Sequence, residues 1–284
     1  MTRVPGAPVL NGMSVDVEDW FQVGAFERVI DKADWPTLDP RVERNTDAVL
    51  TLFAESGVKA TFFTLGWVAD RHPALIRRIV EAGHEIASHG WDHVRVFTMT
   101  PATFRADIAH ARATIEDAAG VAVTGYRAPS FSIDARTPWA HAVLAEDGYA
   151  YSSSVAPVRH DHYGWRDAPR YAFRPVADSP LVEVPVTVAE IAGRRLATGG
   201  GFFRLLPAAI TDHAVRQVNR AGQPAMFYFH PWEIDPAQPR VAAAPMRSRL
   251  RHYSRLGAMV GKLRGLIDRH DWGRVDAAIA ARAL

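Results

Sequence analysis

The chain reads as an α/β protein built on a largely parallel sheet, and three features of its sequence predict this. Amphipathic helical stripes recur along it, a glycine closes nearly every stripe, and a short apolar, often β-branched run follows. Such an alternation packs helices over a parallel sheet. No internal repeat or low-complexity tract interrupts it.

The first strand is residues 13–17, short and partly β-branched, with Asp16, Glu18 and Asp19 clustered at its C-terminal mouth. Residues 20–40 show no period and several turn residues, so they form a loop with room for one helical turn. Residues 41–56 carry Val42, Val49, Leu52 and Phe53 at helical spacing and stop at Gly57; residues 58–64 are the next strand. Leu75, Ile76, Ile79 and Val80 make a helical stripe over 73–82, ending at Gly83 before a strand at 84–87. Thr100 is a natural N-cap with Pro101 at the first helical position, and Phe104, Ile108, Ala111 and Ile115 keep one face apolar until Gly120. Residues 121–126 are strand-like, Thr137-Pro138 opens another helix that Gly148 ends, and residues 149–155 follow as a strand. Residues 207–221 repeat the form with Ile210, Ala214 and Val218, and Gly222 precedes a strand at 225–230.

Residues 157–201 are the least regular. They contain His160-Asp161-His162, one strand candidate at 181–186, and Gly199-Gly200-Gly201, which lacks the Lys-Ser/Thr of a phosphate loop. The paired histidines read as part of a substrate loop rather than a second metal site. After Asp235 a Pro/Ala-rich connector, 236–245, leads to a stripe of Leu256, Val260, Leu263 and Ile267. Arg255, Lys262 and Arg269 lie on another face, which reads as solvated. The expected division is a domain at 10–235 and a helical extension at 236–284 packed on it.

Composition bounds the function. A chain of 284 residues can bury one sizeable core, about half its residues are hydrophobic, and the net charge of +2 gives no case for nucleic acid. With no cysteine, disulfides and thiolate sites are excluded, and any metal falls to histidine and carboxylate. No run is long and apolar enough to span a bilayer, and residues 1–11 lack the apolar core of a signal peptide, so a cytoplasmic location is expected.

In folds of this class the C-terminal ends of the strands carry the chemistry. The acids after Val15, His89 and His93 after Ile86, Arg127 after Tyr126 and His230 after Phe229 all fall at such ends. In Ser88-His89-Gly90-Trp91-Asp92-His93 the imidazoles stand four apart, a spacing that puts both on one face of a helical turn and within reach of one ion. A catalytic ion needs a third ligand, commonly a carboxylate, and an open position for water. The acids of Ser14-Val15-Asp16-Val17-Glu18-Asp19 are the best source.

These residues resemble the polysaccharide deacetylase (NodB homology) family, most closely the subfamily found beside exopolysaccharide and exosortase genes. Five motifs match in order: the acidic motif and the His motif just quoted, Arg127-Ala128-Pro129-Ser130, a weaker match over 151–154, and Phe227-Tyr228-Phe229-His230. The resemblance implies a distorted, incomplete (β/α) barrel, here with a C-terminal helical extension. It also implies one divalent ion, expected to be zinc, and an N-acetylated glycan as substrate. Carried over, Asp16 is the general base, His89 and His93 ligate the ion, His230 is the general acid, Arg127 orients Asp16, and the backbone N–H of Ser130 faces the oxyanion. Two departures stand out. Val17 separates Asp16 from the acids that follow, so Glu18 or Asp19 is the third ligand, with Glu18 favoured by relatives that have an acid-x-acid form. Ser152 stands where an aspartate tunes the catalytic histidine, leaving Asp161 or Glu233 as substitutes.

The expected reaction is removal of N-acetyl groups from a glycan or its precursor. Hydrolysis of another small amide on the same fold is the rival within the enzyme class. A non-catalytic glycan-binding relative is the rival outside it, and its signature would be loss of Asp16 or His230. Both residues are present.

Overall fold

A computed structural model describes residues 9–159 and 163–282. β1 (Asn11–Val17) and β2 (Thr61–Thr64) are joined by α1 (Val42–Ser56); α2 (Gly66–Arg71) and α3 (Pro73–Glu81) lead to β3 (Glu85–Ser88). α4 (Pro101–Ala119), β4 (Gly125–Tyr126), α5 (Ala140–Glu146), β5 (Tyr151–Ser152) and β6 (Val182–Glu183) continue the alternation. A hairpin of β7 (Val188–Ile191) and β8 (Arg194–Ala197) follows, then α6 (Gly200–Leu205), α7 (Ala208–Arg220) and β9 (Met226–Phe229). The tail holds α8 (Met246–Tyr253), α9 (Met259–Ile267), β10 (Trp272–Gly273) and α10 (Val275–Ala280).

Every pairing in the main sheet is parallel. β1 to β6 pair in sequence order, and β9 takes the other edge of β1, so β1 is central and buried along its whole length. Gly12 pairs with Met226 of β9 on one edge and Gly273 of β10 on the other, so the tail adds a short strand below β2 as well as helices. Across the remaining gap Thr187 N–H donates to the Met226 carbonyl at 3.0 Å, and Met226 N–H donates to Thr187 Oγ1 at 2.8 Å. The result is a distorted, incomplete (β/α) barrel with a helical C-terminal part.

The helices form where their stripes allow. α1 buries Val49, Leu52 and Phe53, and α4 buries the predicted Phe104, Ile108, Ala111 and Ile115. Burial of one such side chain contributes about 1.5–3 kcal/mol relative to exposure. Thr100 caps α4, its hydroxyl accepting from Thr103 N–H at 3.2 Å. Several elements differ from expectation; the strands expected over 149–155 and 181–186 are only Tyr151–Ser152 and Val182–Glu183, and α6 was not anticipated. The strand expected over 121–126 is only Gly125–Tyr126, because Val121 is exposed and has no partner strand to cover it. α2 and the β7–β8 hairpin were not anticipated; both are short and carry no helical or alternating period of useful length. Because the strands run parallel, Val17, Thr64, Ser88, Tyr126, Ser152, Glu183 and Phe229 end on one rim.

Candidate active site

β3 ends at Ser88, and residues 89–93 turn across the rim as a loop rather than the helical turn expected from their spacing. Gly90 (φ 73°) and His93 (φ 64°) are both left-handed, which no α-helix accommodates. A Cβ on Gly90 would also meet Asp107 Oδ2 at 3.0 Å. The loop is held by its backbone: His89 N–H donates to Thr64 O, and Gly66 and Trp67 at the start of α2 donate to the carbonyls of Gly90 and Trp91 at 2.9 and 3.0 Å. His89 Nδ1 lies 2.8 Å from the Arg127 carbonyl. A carbonyl only accepts, so Nδ1 carries the proton and Nε2 presents a lone pair. Burial lowers the His89 pKa to about 4, keeping the ring neutral.

The acids after β1 part ways. One atom each from Glu18, His89 and His93 lies within 4.8 Å of the others. Glu18 Oε2 is 3.0 Å from His93 Nε2 yet makes no hydrogen bond and is buried, while Oε1 accepts from Trp232 Nε1 at 3.1 Å. Burial would raise the Glu18 carboxyl, but the imidazoles of His93, His230 and His89 outweigh it and hold it at about 2. A buried carboxylate oxygen without a donor, facing two imidazoles, is a donor set that fits a divalent ion. Asp19, the other ligand expected, points elsewhere. Its Oδ1 accepts from Trp20 N–H at 2.8 Å, and its Oδ2 accepts from Arg41 and Val42 N–H at 2.7 and 3.0 Å. It caps the start of α1 from outside, where free N–H groups and the helix dipole favour an anion.

Asp16 sits one alternation back on the same face of the sheet. Arg127, fully buried, donates from Nη1 to Asp16 Oδ1 at 2.6 Å and to Ser14 Oγ at 2.8 Å. Its Nε and Nη2 donate to the carbonyl and hydroxyl of Ser153 at 3.0 and 2.9 Å, and the guanidinium lies 4.0 Å from the Phe63 ring centroid. A planar fork with this many partners is why arginine, not lysine, can be buried here. Ser130 follows in a left-handed conformation (φ 56°) and lines the same cavity.

His230 arrives from β9 on the opposite edge of β1. Its Nε2 lies 3.6 Å from Glu18 Oε1 and 4.0 Å from Asp16 Oδ2. Pro231 opens a single 3-10 turn (Pro231–Ile234) that swings Glu233 back, so its Oε2 accepts from both His230 Nδ1 (2.9 Å) and His230 N–H (3.1 Å). Of the two substitutes for an aspartate at 152, Glu233 therefore makes the contact; Asp161, like His160 and His162, lies outside the described residues. Ser152 donates to Ser154 Oγ at 2.8 Å instead. Burial alone would lower the His230 pKa, but Glu18, Glu233 and Asp16 raise it to about 9. Behind it, Arg204 of α6 donates from Nε to Glu233 Oε1 at 3.1 Å and is anchored on the carbonyls of Arg251, His252 and Ser254. His230 and His252 each stack on Trp232, with centroids 5.2 and 4.2 Å away.

Sequence reasoning missed Trp232, Arg204 and His252. Trp232 and Glu233 lie in the tetrapeptide after the His230 motif, where a capping pattern offered a signal; Arg204 and His252 offered none. The assembled groups face a cavity of about 560 Å³, walled by Phe131, Tyr163, Phe202 and Tyr228 among others. That is the size of a small-ligand site.

Residues 29–152 match the profile described as polysaccharide deacetylase, and residues 153–280 match a domain of unknown function. The polysaccharide deacetylase match covers a little under half of the chain, which is similar to that family over those residues. Over 84 residues it is 33% identical to peptidoglycan-N-acetylglucosamine deacetylase PgdA of Listeria monocytogenes, which is 30% of this chain and 18% of that protein. Over 133 residues it is 30% identical to a chitooligosaccharide deacetylase of a Bradyrhizobium strain, covering 47% of this chain and 55% of the other. The chain thus spans between about a fifth and just over half of the length of these deacetylases. The fold matches a Mycobacterium smegmatis protein assigned as a polysaccharide deacetylase, with a TM-score of 0.63, 22% identity and 99% and 93% coverage of the two chains. It also matches an allantoinase, at a TM-score of 0.60 with 16% identity and 97% and 90% coverage. Fold alone does not separate those two chemistries.

Proposed function

We propose that this chain is a polysaccharide deacetylase, a metal-dependent hydrolase that removes N-acetyl groups from a glycan or glycan precursor. The observation that carries it is the Glu18–His89–His93 donor set beside the Arg127–Asp16 pair, with His230 across the cavity. Glu18, His89 and His93 would hold a divalent ion, with zinc suited to their nitrogen and oxygen donors, and its presence would supply Lewis acidity to the acetyl carbonyl and acidify water.

The chain's own groups do the rest. Asp16, its Oδ1 pinned by Arg127, takes the proton of the attacking water through Oδ2. The backbone N–H of Ser130 faces the oxygen on which charge develops. His230 is protonated at neutral pH, and Glu233 occupies its Nδ1, so the proton on Nε2 is the one delivered to the sugar nitrogen as the C–N bond breaks. Acetate and a free amine leave. We read residues 10–235 as the catalytic unit and 236–284 as an extension sharing its sheet through β10. The chain's motifs, like those of proteins encoded beside exopolysaccharide genes, favour an exopolysaccharide precursor as substrate.

The test is acetate release from N-acetylated chitooligosaccharide before chelation, after it, and after single divalent ions are restored. We expect loss with chelator and recovery with zinc. Full activity in chelator would remove the ion from the mechanism, and turnover of a small cyclic amide with no acetate released would favour the rival amidase.

A further inference from the structure

The two oxygens of the Glu18 carboxylate have different surroundings. Oε2 is buried, has no hydrogen-bond donor and lies 3.0 Å from His93 Nε2. Oε1 accepts from the indole N–H of Trp232 at 3.1 Å. A buried indole N–H needs some acceptor, and a carbonyl or hydroxyl would serve. Here it takes the one oxygen that shares a carbon with the atom facing the imidazoles.

The indole is itself fixed from behind. Gln238 Nε2 donates to the carbonyls of Trp232 and Asp235, each at 2.9 Å, and Gln238 Oε1 lies 2.6 Å from His252 Nε2. The His252 ring in turn lies against the indole, 4.2 Å between centroids and 12° from parallel. Trp232, Gln238 and His252 are all buried. An indole N–H only donates, and along one direction. A ring packed in this way does not turn to follow a carboxylate, so the carboxylate takes its orientation from the ring. A carboxylate can meet a divalent ion through one oxygen or both, and a hydrogen bond on one of them decides which. Attachment through one oxygen spares a position on the ion for water.

We propose that Trp232 is a positioning residue for the ion site: its N–H holds Glu18 Oε1, so that the carboxylate meets a divalent ion through Oε2 alone. The inference rests on the reading of Glu18, His89 and His93 as the ion's ligands. It gives the turn after β9 a second task, because the residue next to Glu233, which contacts His230, also sets the ligand that follows β1.

The test removes the donor and reads the ion directly, without an activity assay. The full chain is prepared as Trp232→Phe and, separately, with Trp232 replaced by benzothienylalanine, which keeps the shape of the ring and puts sulfur in place of the N–H. Zinc affinity is measured by competition with a chromogenic chelator, and the visible spectrum of bound cobalt is recorded. We expect both forms to bind zinc about 10- to 100-fold more weakly than the wild-type chain. The cobalt bands should change as well, since Glu18 is then free to bind through both oxygens. Equal melting of the metal-free proteins will show the packing intact, and the isosteric form decides the matter where Trp232→Phe does not fold. Zinc bound by the isosteric form as tightly as by the wild-type chain overturns the proposal, even where Trp232→Phe binds weakly, because packing would then explain the loss. A wild-type chain that takes up neither zinc nor cobalt removes the ligand set itself, and the role of Trp232 with it.

Discussion

The two halves of the site are built differently. The half proposed to hold the ion stands directly on the sheet: Glu18 follows β1, His89 follows β3, and Asp16 lies within β1 under Arg127. The acid half, around His230, is assembled from remote pieces: Glu233 from a single turn, Arg204 from α6, and the carbonyls of 251–254 from the tail. The first half is fixed by strand register. The second depends on α6 and the tail docking correctly, so it should degrade by steps while the first fails outright.

Removing the base is the hardest break. Asp16→Asn should lower acetate release by about 10³-fold or more while leaving bound metal unchanged by elemental analysis. Retained activity would dismiss Asp16 from that role. Glu18→Gln should next abolish stoichiometric metal and with it activity, whereas Asp19→Asn should keep the metal and lower the melting temperature, since it caps α1. A reversed result would reassign the third ligand.

On the acid side the effects are graded. Glu233→Gln should reduce kcat about 10- to 100-fold, with KM little changed. Because Glu233 raises the His230 pKa, activity should decline on the alkaline side as His230 loses its proton, and the variant's decline should move to lower pH. An unmoved profile would make Glu233 merely structural. Arg204→Met should show a smaller version of the same shift.

The mildest test lies far from the site. Burial, then Lys59 and Arg274, lowers the His84 pKa to about 4, and its Nδ1 accepts from Ala60 N–H at 3.0 Å. A depressed pKa contributes stability that is present above about 6.5 and lost as pH falls through about 4. The melting temperature should fall across that window by several degrees, and His84→Gln should flatten the dependence.

Much of the frame was legible because it rests on local rules. The stripes of α1, α4 and α7 and their closing glycines fixed the helices to within a residue or two, and strand ends fixed which residues share the rim. Spacing misled where two backbone shapes satisfy it. His89 and His93 at i and i+4 fit a helical turn, yet the left-handed Gly90 and His93 bring the same rings together from a loop. Glu18 and Asp19 could not be told apart by type, because what separates them is a helix start more than twenty residues on that claims Asp19. Arg204 and His252 were invisible for the same reason: their value comes from contacts across 29 and 20 residues, which no local pattern encodes.

Arg127 touches both parts of the half proposed to hold the ion. Its carbonyl receives the Nδ1 proton of His89, and its guanidinium grips Asp16. One residue thereby acts as a ruler between ligand and base: a shift of its backbone displaces the two together, and neither can drift from the other without breaking a bond to it. The spacing between them is gauged from within the chain.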